Sequence, residues 1–172
     1  MTRSHARSLE GKRALCKRPA QRGGNISLVG AIRLDENPVL YPFDGAVDGE
    51  RFLYFLEHHL APTLRAGDVV IMDNCRIHHI ADVKTLLGKV GAEPLFMPPY
   101  SPELNPIEEA WSLIKATFKS LEARTISAYV EALDIARKAV TPEKIRAYVD
   151  HASSFLQAPI PGKAVLELYP RR

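Results

Sequence analysis

The chain has 172 residues, of which 46% are hydrophobic and 25% charged, and its formal net charge is +3. That length suits one domain with a sizeable core, or a fragment of something larger, and the balance is ordinary for a soluble globular protein. No apolar run approaches the roughly 20 residues of a membrane span, no apolar stretch follows the basic N-terminus as a secretory signal requires, and two cysteines, Cys16 and Cys75, make neither a disulfide framework nor a four-ligand zinc motif, so a reducing, cytoplasmic setting is the default.

Charge is uneven along the chain. Residues 1 to 22 hold seven basic side chains against Glu10, a net of +6, which leaves −3 for the rest. Such an arm reads either as a phosphate-binding segment or as a solvated terminus, and charge alone leaves both open. The β-rich, alternating run from Asn25 to Leu34 predicts a strand. Asp35, Glu36 and Asn37 make a turn, and Val39 to Phe43 is its hairpin partner, with Pro38 and Pro42 favouring an edge or irregular pairing. A helix is expected from about Gly49 to Leu60, with Phe52, Phe55, Leu56 and Leu60 on one face.

Asp68 to Asp73 encloses the continuous apolar run Val69, Val70, Ile71, Met72, which suits a strand buried on both faces. A helix follows over about Ile80 to Val90, ended by Gly91, and Glu93 to Met97 reads as a second short buried strand. A stiff loop carrying Pro98, Pro99 and Pro102 leads to a helix beginning at Asn105. Two more helices are expected, about Ser127 to Ala139 and Pro142 to Ser153, and no clear element from Leu156 onward. The order describes an α/β layered domain, a hairpin leading into parallel strands with helical crossovers.

Two acids stand out. Asp73 ends a buried parallel strand, the place where ligands gather in open α/β sheets, and a carboxylate there can hold a hard cation. From position alone, a turn-former beside Asn74, closing the strand before a helix, is the favoured reading. Glu108 occupies the third position of a helix with Asn105 as its cap and Pro106 as its first residue, where a capping-box acid sits. Ile107, Ala110, Trp111, Ile114 and Phe118 form that helix's apolar face, and Glu108, Ser112, Lys115 and Lys119 share a different one. An acid for metal and lysines for phosphates would suit a nuclease.

The segments DVVIMDNCRIHH and MPPYSPELNPIEEAWSLIK resemble the mariner-type DDE transposases, in their bacterial insertion-sequence branch. The 34 residues between Asp73 and Glu108 match the spacing of that superfamily's second and third acids. RSLEGKRA (Arg7 to Ala14) is similar to a stretch shortly after the first acid, and TPEKIRAYVDHA to the C-terminal helix, so the likeness runs from about Arg7 to Ala152. The YSPELNPIEEAW block is its most specific part.

The resemblance implies a ribonuclease-H-like α/β fold, a mixed sheet with flanking helices, here expected to lack its first core strand. It implies a basic arm over residues 1–24, a catalytic domain over 25–155 and a tail over 156–172. It implies Mg2+ (or Mn2+) held by Asp73 and Glu108, DNA as partner (transposon ends and target), DNA strand cleavage and strand transfer, a homodimer when full length, and no membrane association. The first acid and the helix-turn-helix segments upstream of it are expected to be missing, as in a truncated chain or one part of a frameshifted product. Asp35, Asp44 and Asp48 are the nearest substitutes and read as turn, loop or cap residues. Two carboxylates against a metal pair imply weak or no activity in the isolated chain, and a lost core strand implies an exposed pairing edge.

Arg7, Lys12, Arg13, Lys115 and Lys119 are candidate DNA contacts. Asn74 and His78 are candidates for a supporting role, His78 either near the metal site or capping the next helix. His58, His59 and His79 read as surface or helix-packing residues, and Tyr100 and Trp111 as packing ones. The alternative function is a catalytically dead remnant that binds DNA or pairs with an intact transposase.

Overall fold

The computed structural model describes residues 10, 26–34, 36–98, 101, 104–121, 126–154 and 164–168. Its sheet contains β1 (Ile26–Arg33), β2 (Val39–Asp44), β3 (Val69–Met72), β4 (Glu93–Phe96) and β5 (Ala164–Leu168), in the spatial order β2-β1-β5-β3-β4. The helices are α1 (Gly49–Phe55), α2 (Ala81–Lys89), α3 (Ile107–Leu121), α4 (Ile126–Ala139) and α5 (Pro142–Ser153). The hairpin β1–β2 is antiparallel, and β3 pairs in parallel with both β4 and β5. This is a mixed sheet with flanking helices, the α/β class expected. No helix among the described residues is long and apolar enough to cross a membrane.

The sheet is buried on both faces. Leu28, Ile32, Leu40 and Ile71 pack with Trp111, Ile114, Ala132, Ala136 and Ile145 from α3, α4 and α5. Val29, Ala31, Val70 and Met72 pack with Phe52, Phe55, Leu56, Val83 and Leu87 from the α1 and α2 side. β1 is therefore buried without interruption from Leu28 to Ile32, where the sequence suggested an alternating strand. β3 is buried on both faces, as its continuous apolar run predicts.

Three expectations change. β4 was expected to be buried; it is an edge strand with Leu95 49% exposed. Pro94, with no N–H for a further ladder, suits that place. The helix after Gly49 does not stay α: it passes into a π turn over Leu56–Leu60 and a 3-10 turn over Ala61–Thr63. The third concerns the C-terminal stretch, where no element was expected. Ala164–Leu168 form β5 and lie in the middle of the sheet, antiparallel to β1 and parallel to β3. A lost core strand was expected to leave an exposed pairing edge; here the facing flanks of β1 and β3 are both paired with β5.

The two strands beside β5 are also joined by side chains. Arg33, at the end of β1, forms an ion pair with Asp68, just before β3, and donates to the Thr63 carbonyl at 3.1 Å. Asp68 also accepts from the Arg65 N–H at 2.6 Å. The Arg33 and Asp68 side chains are only 11% and 5% exposed. Removing one partner of such a pair leaves a charge buried and short of partners. Asp68→Ala is expected to destabilise the protein by about 3 kcal/mol, the low end for a broken buried pair because Arg33 keeps Thr63 and Glu36. Urea unfolding measures this, and an unchanged midpoint would show the pair to be dispensable.

Gly91 shows how α2 ends. It takes φ +74°, its N–H reaches the Gly88 carbonyl, and Ala92 N–H reaches Leu87. A Cβ there would stand 3.1 Å from that of Ala66. The glycine thus turns the chain directly into β4, the neighbour of β3.

Candidate active site

The carboxyl ends of β3 and β4 are stapled together. Met97 N–H donates to the Met72 carbonyl at 2.9 Å, and Asn74 Nδ2 donates to the Met97 carbonyl at 3.3 Å. Asn74 Oδ1 meets His79 Nε2, and the His79 ring stacks on Phe96 at 4.2 Å. Asn74 therefore fixes the strand ends.

Asp73 follows β3 directly and is 7% exposed. Its Oδ1 accepts from the Cys75 N–H at 2.9 Å, the Asx turn that the sequence allowed. The same oxygen stands 2.9 Å from His78 Nδ1, which is also 3.0 Å from the Asp73 carbonyl. His78 is completely buried, its ring 4.8 Å from that of Phe52 on α1. With its proton on Nδ1 it donates to Asp73. The turn reading of Asp73 is seen here, and the turn holds a buried carboxylate in one orientation at the end of a parallel strand. His78 does not cap α2, whose N-cap is Ile80 without a side-chain bond.

Glu108 lies in the first turn of α3 and is half-buried. Asn105 caps this helix as predicted: its Oδ1 accepts from Ile107 N–H at 3.3 Å, and its carbonyl from Glu108 N–H at 3.1 Å. Asn105, Pro106 and Ile107 are buried, so the helix start is sunk in the structure and Glu108 emerges at its rim. Asn105 Nδ2 is buried without a hydrogen-bond partner among the described residues. α3 packs its predicted stripe, Ile107, Ala110, Trp111, Ile114 and Phe118, into the core. Lys119 is exposed and Lys115 half-buried. They rise roughly 10 and 16 Å along the helix from Glu108, Lys115 first, at 1.5 Å per residue.

Asp73 and His78 are thus in direct contact, and Glu108 stands in the first turn of α3, which the loop after β4 leads into. Among the described residues no group of three or more His, Cys, Asp or Glu side chains is placed to hold a metal ion. Asp48 caps α1, accepting from Arg51 N–H at 3.0 Å, and Asp44 is exposed at the end of β2. β2 is three strands from β3, roughly 14 Å at the usual spacing, so Asp44 does not join Asp73. Asp35, Arg7, Lys12, Arg13 and Tyr100 lie outside the described residues.

Sequence reasoning missed an aromatic group on the far side of α1, where Tyr41 and Phe43 meet Tyr54, His58 and His59. Its signal was present as spacing: Tyr41 and Phe43 alternate on one strand face, and Tyr54 and His58 stand one helical turn apart. Compared with known families, residues 1–130 match the family described as DDE superfamily endonuclease. No curated protein matches the chain.

Proposed function

Because the chain belongs to the DDE superfamily endonucleases, we propose that it is the catalytic domain of a mariner-type DNA transposase of the bacterial insertion-sequence branch. The observation that carries this reading is Asp73, a buried carboxylate oriented by His78 at the carboxyl end of a parallel strand. Its substrate is DNA, at transposon ends and target, and its setting the cytoplasm. Paired copies are the working assembly, as the resemblance implies.

Asp73 and Glu108 are hard oxygen donors, the type that Mg2+ or Mn2+ takes. One such ion, completed by water and phosphate oxygens, needs no more than two carboxylates; a pair of ions does not find enough acids among the described residues. A bound ion would stabilise charge on the phosphoryl oxygens during in-line displacement. The protein's own contribution is positional. The Cys75 N–H and His78 hold the Asp73 carboxylate still, and Asn74 keeps the β3 and β4 ends together. The N-terminus of α3 favours negative charge near Glu108. Lys115 and Lys119 continue along α3 as phosphate contacts, and Arg7, Lys12 and Arg13 are further candidates by residue type alone.

The test pairs ion binding with plasmid nicking. Calorimetry is expected to show one weak Mn2+ site per chain, lost in Asp73→Asn and in Glu108→Gln. Nicking in Mg2+ is expected to stay near background, at least ~100-fold below a complete site. Robust nicking abolished by Asp73→Asn would overturn the two-acid account of weak activity. Ion binding unchanged in that variant would remove Asp73 from the site. DNA binding with no ion binding favours the alternative, a remnant that pairs with DNA or with an intact transposase.

A further inference from the structure

On the sheet edge formed by β2, an open hollow of about 420 Å3 is lined by Tyr41, Phe43, Glu50, Arg51 and Tyr54. It is separated from Asp73 by α1, whose inner residue Phe52 touches His78 and whose outer residue Tyr54 is 45% exposed. The rings form one connected surface. Tyr41 lies 4.8 Å from Phe43 and 5.9 Å from Tyr54, Tyr54 lies 4.5 Å from His58, and His59 stacks on Tyr41 at 3.9 Å. Arg51 forms part of the wall, its Nη1 held by the carbonyls of Asp44 and Ala46 at 2.6 and 2.5 Å.

Packing against the core accounts for Tyr41 and Phe43; it does not account for the exposed rings of Tyr54 and His58 with a carboxylate and a guanidinium beside them. We infer that this hollow is a stacking site for an unpaired nucleobase of single-stranded DNA. Every base has a π face, so exposed aromatic rings bind bases with little regard to sequence. Glu50 can accept a hydrogen bond from an exocyclic amino group, as on cytosine or adenine. The charge of Arg51, held in place by its two carbonyl contacts, supplies attraction for the adjoining phosphate. Burial and then the neighbouring Tyr54 push the Tyr41 phenol above its usual range, and burial and then His58 push His59 below its own. Both shifts favour the uncharged ring. A duplex base cannot enter, because its faces are already stacked. The inference adds a second DNA contact to the proposed function and needs neither the metal nor cleavage.

The test uses the full chain in chelator, with fluorescence anisotropy on three labelled DNAs: oligothymidylate, an abasic strand of equal length and a duplex. The strand with bases is expected to bind roughly five- to a hundred-fold more tightly than the abasic one. Tyr54→Ala is expected to erase that difference and Tyr54→Phe to keep it, with circular dichroism checking that both fold. Glu50→Gln is expected to retain thymidine binding. Equal affinity for strands with and without bases would overturn the inference. So would a Tyr54→Ala effect of the same size on both, which marks a phosphate contact or a docking surface for something other than a base. Loss of Mn2+ binding in a separate calorimetric titration bears only on Asp73 and Glu108.

Discussion

Deleting residues 164–172 is expected to abolish cooperative folding. These residues contain β5, which is paired along one side with β1 from Gly30 to Arg33 and along the other with β3 from Val69 to Met72. Removing it leaves two rows of backbone donors and acceptors facing each other across a gap in the middle of a buried sheet. Each unsatisfied buried group costs about 1–3 kcal/mol, and several together exceed the roughly 5–15 kcal/mol by which a domain is stable. Closing the gap would mean moving β1 toward β3 by about 4.8 Å, one strand spacing. The helices packed on both faces and the Arg33–Asp68 pair oppose that movement. Far-UV circular dichroism during urea titration measures the effect. The shortened chain should show no sharp transition, and a separate peptide covering the deleted residues should restore part of it. A shortened chain with the full-length midpoint would show that the sheet closes without β5.

This strand also shows where sequence reading ends. Ala164–Leu168 is five residues long, too short for a period, and carries Glu167 at a position whose register partners are Ala31 and Met72. Nothing local marks it as the centre of a sheet; its place depends on a slot made by strands more than 90 residues earlier. β3 was legible because burial on both faces writes itself as an unbroken apolar run. α3 was legible from both ends of its logic, with Asn105 and Pro106 starting it and a stripe from Ile107 to Phe118 giving its inner face. β4 was legible as a strand but not as an edge, since strand order is set by topology and only Pro94 hinted at it. At the candidate site, Asp73 and Glu108 could be singled out by residue type and position. The contact between Asp73 and His78 depends on a single 3-10 turn over Arg76–His79, a local geometry that five residues of sequence do not specify.

Trp111→Ala is expected to cost about 3–5 kcal/mol, the usual range for truncating a buried tryptophan. Trp111 is 1% exposed and is the largest fully buried side chain. It joins α3 to β1 at Gly30, where an added Cβ would stand 3.3 Å from Trp111 Cη2 and 2.5 Å from Leu40 Cδ2. The ring thus fills space that a glycine leaves open, and the backbone and helices around it cannot easily collapse into the void. Its Nε1 has no hydrogen-bond partner among the described residues. Trp111→Phe therefore loses packing volume but no hydrogen bond to a described residue, and is expected to cost less than half as much as the alanine variant. The two variants also separate stability from function. Glu108 is one turn before Trp111 on the same helix, so a loosened anchor lets Glu108 shift relative to Asp73. Under conditions where Trp111→Ala is still folded, Mn2+ affinity should fall with it, while Trp111→Phe should keep both the fold and the ion. An alanine variant that unfolds early yet binds Mn2+ like the parent would show that the start of α3 is positioned by Asn105, Pro106 and Ile107 alone.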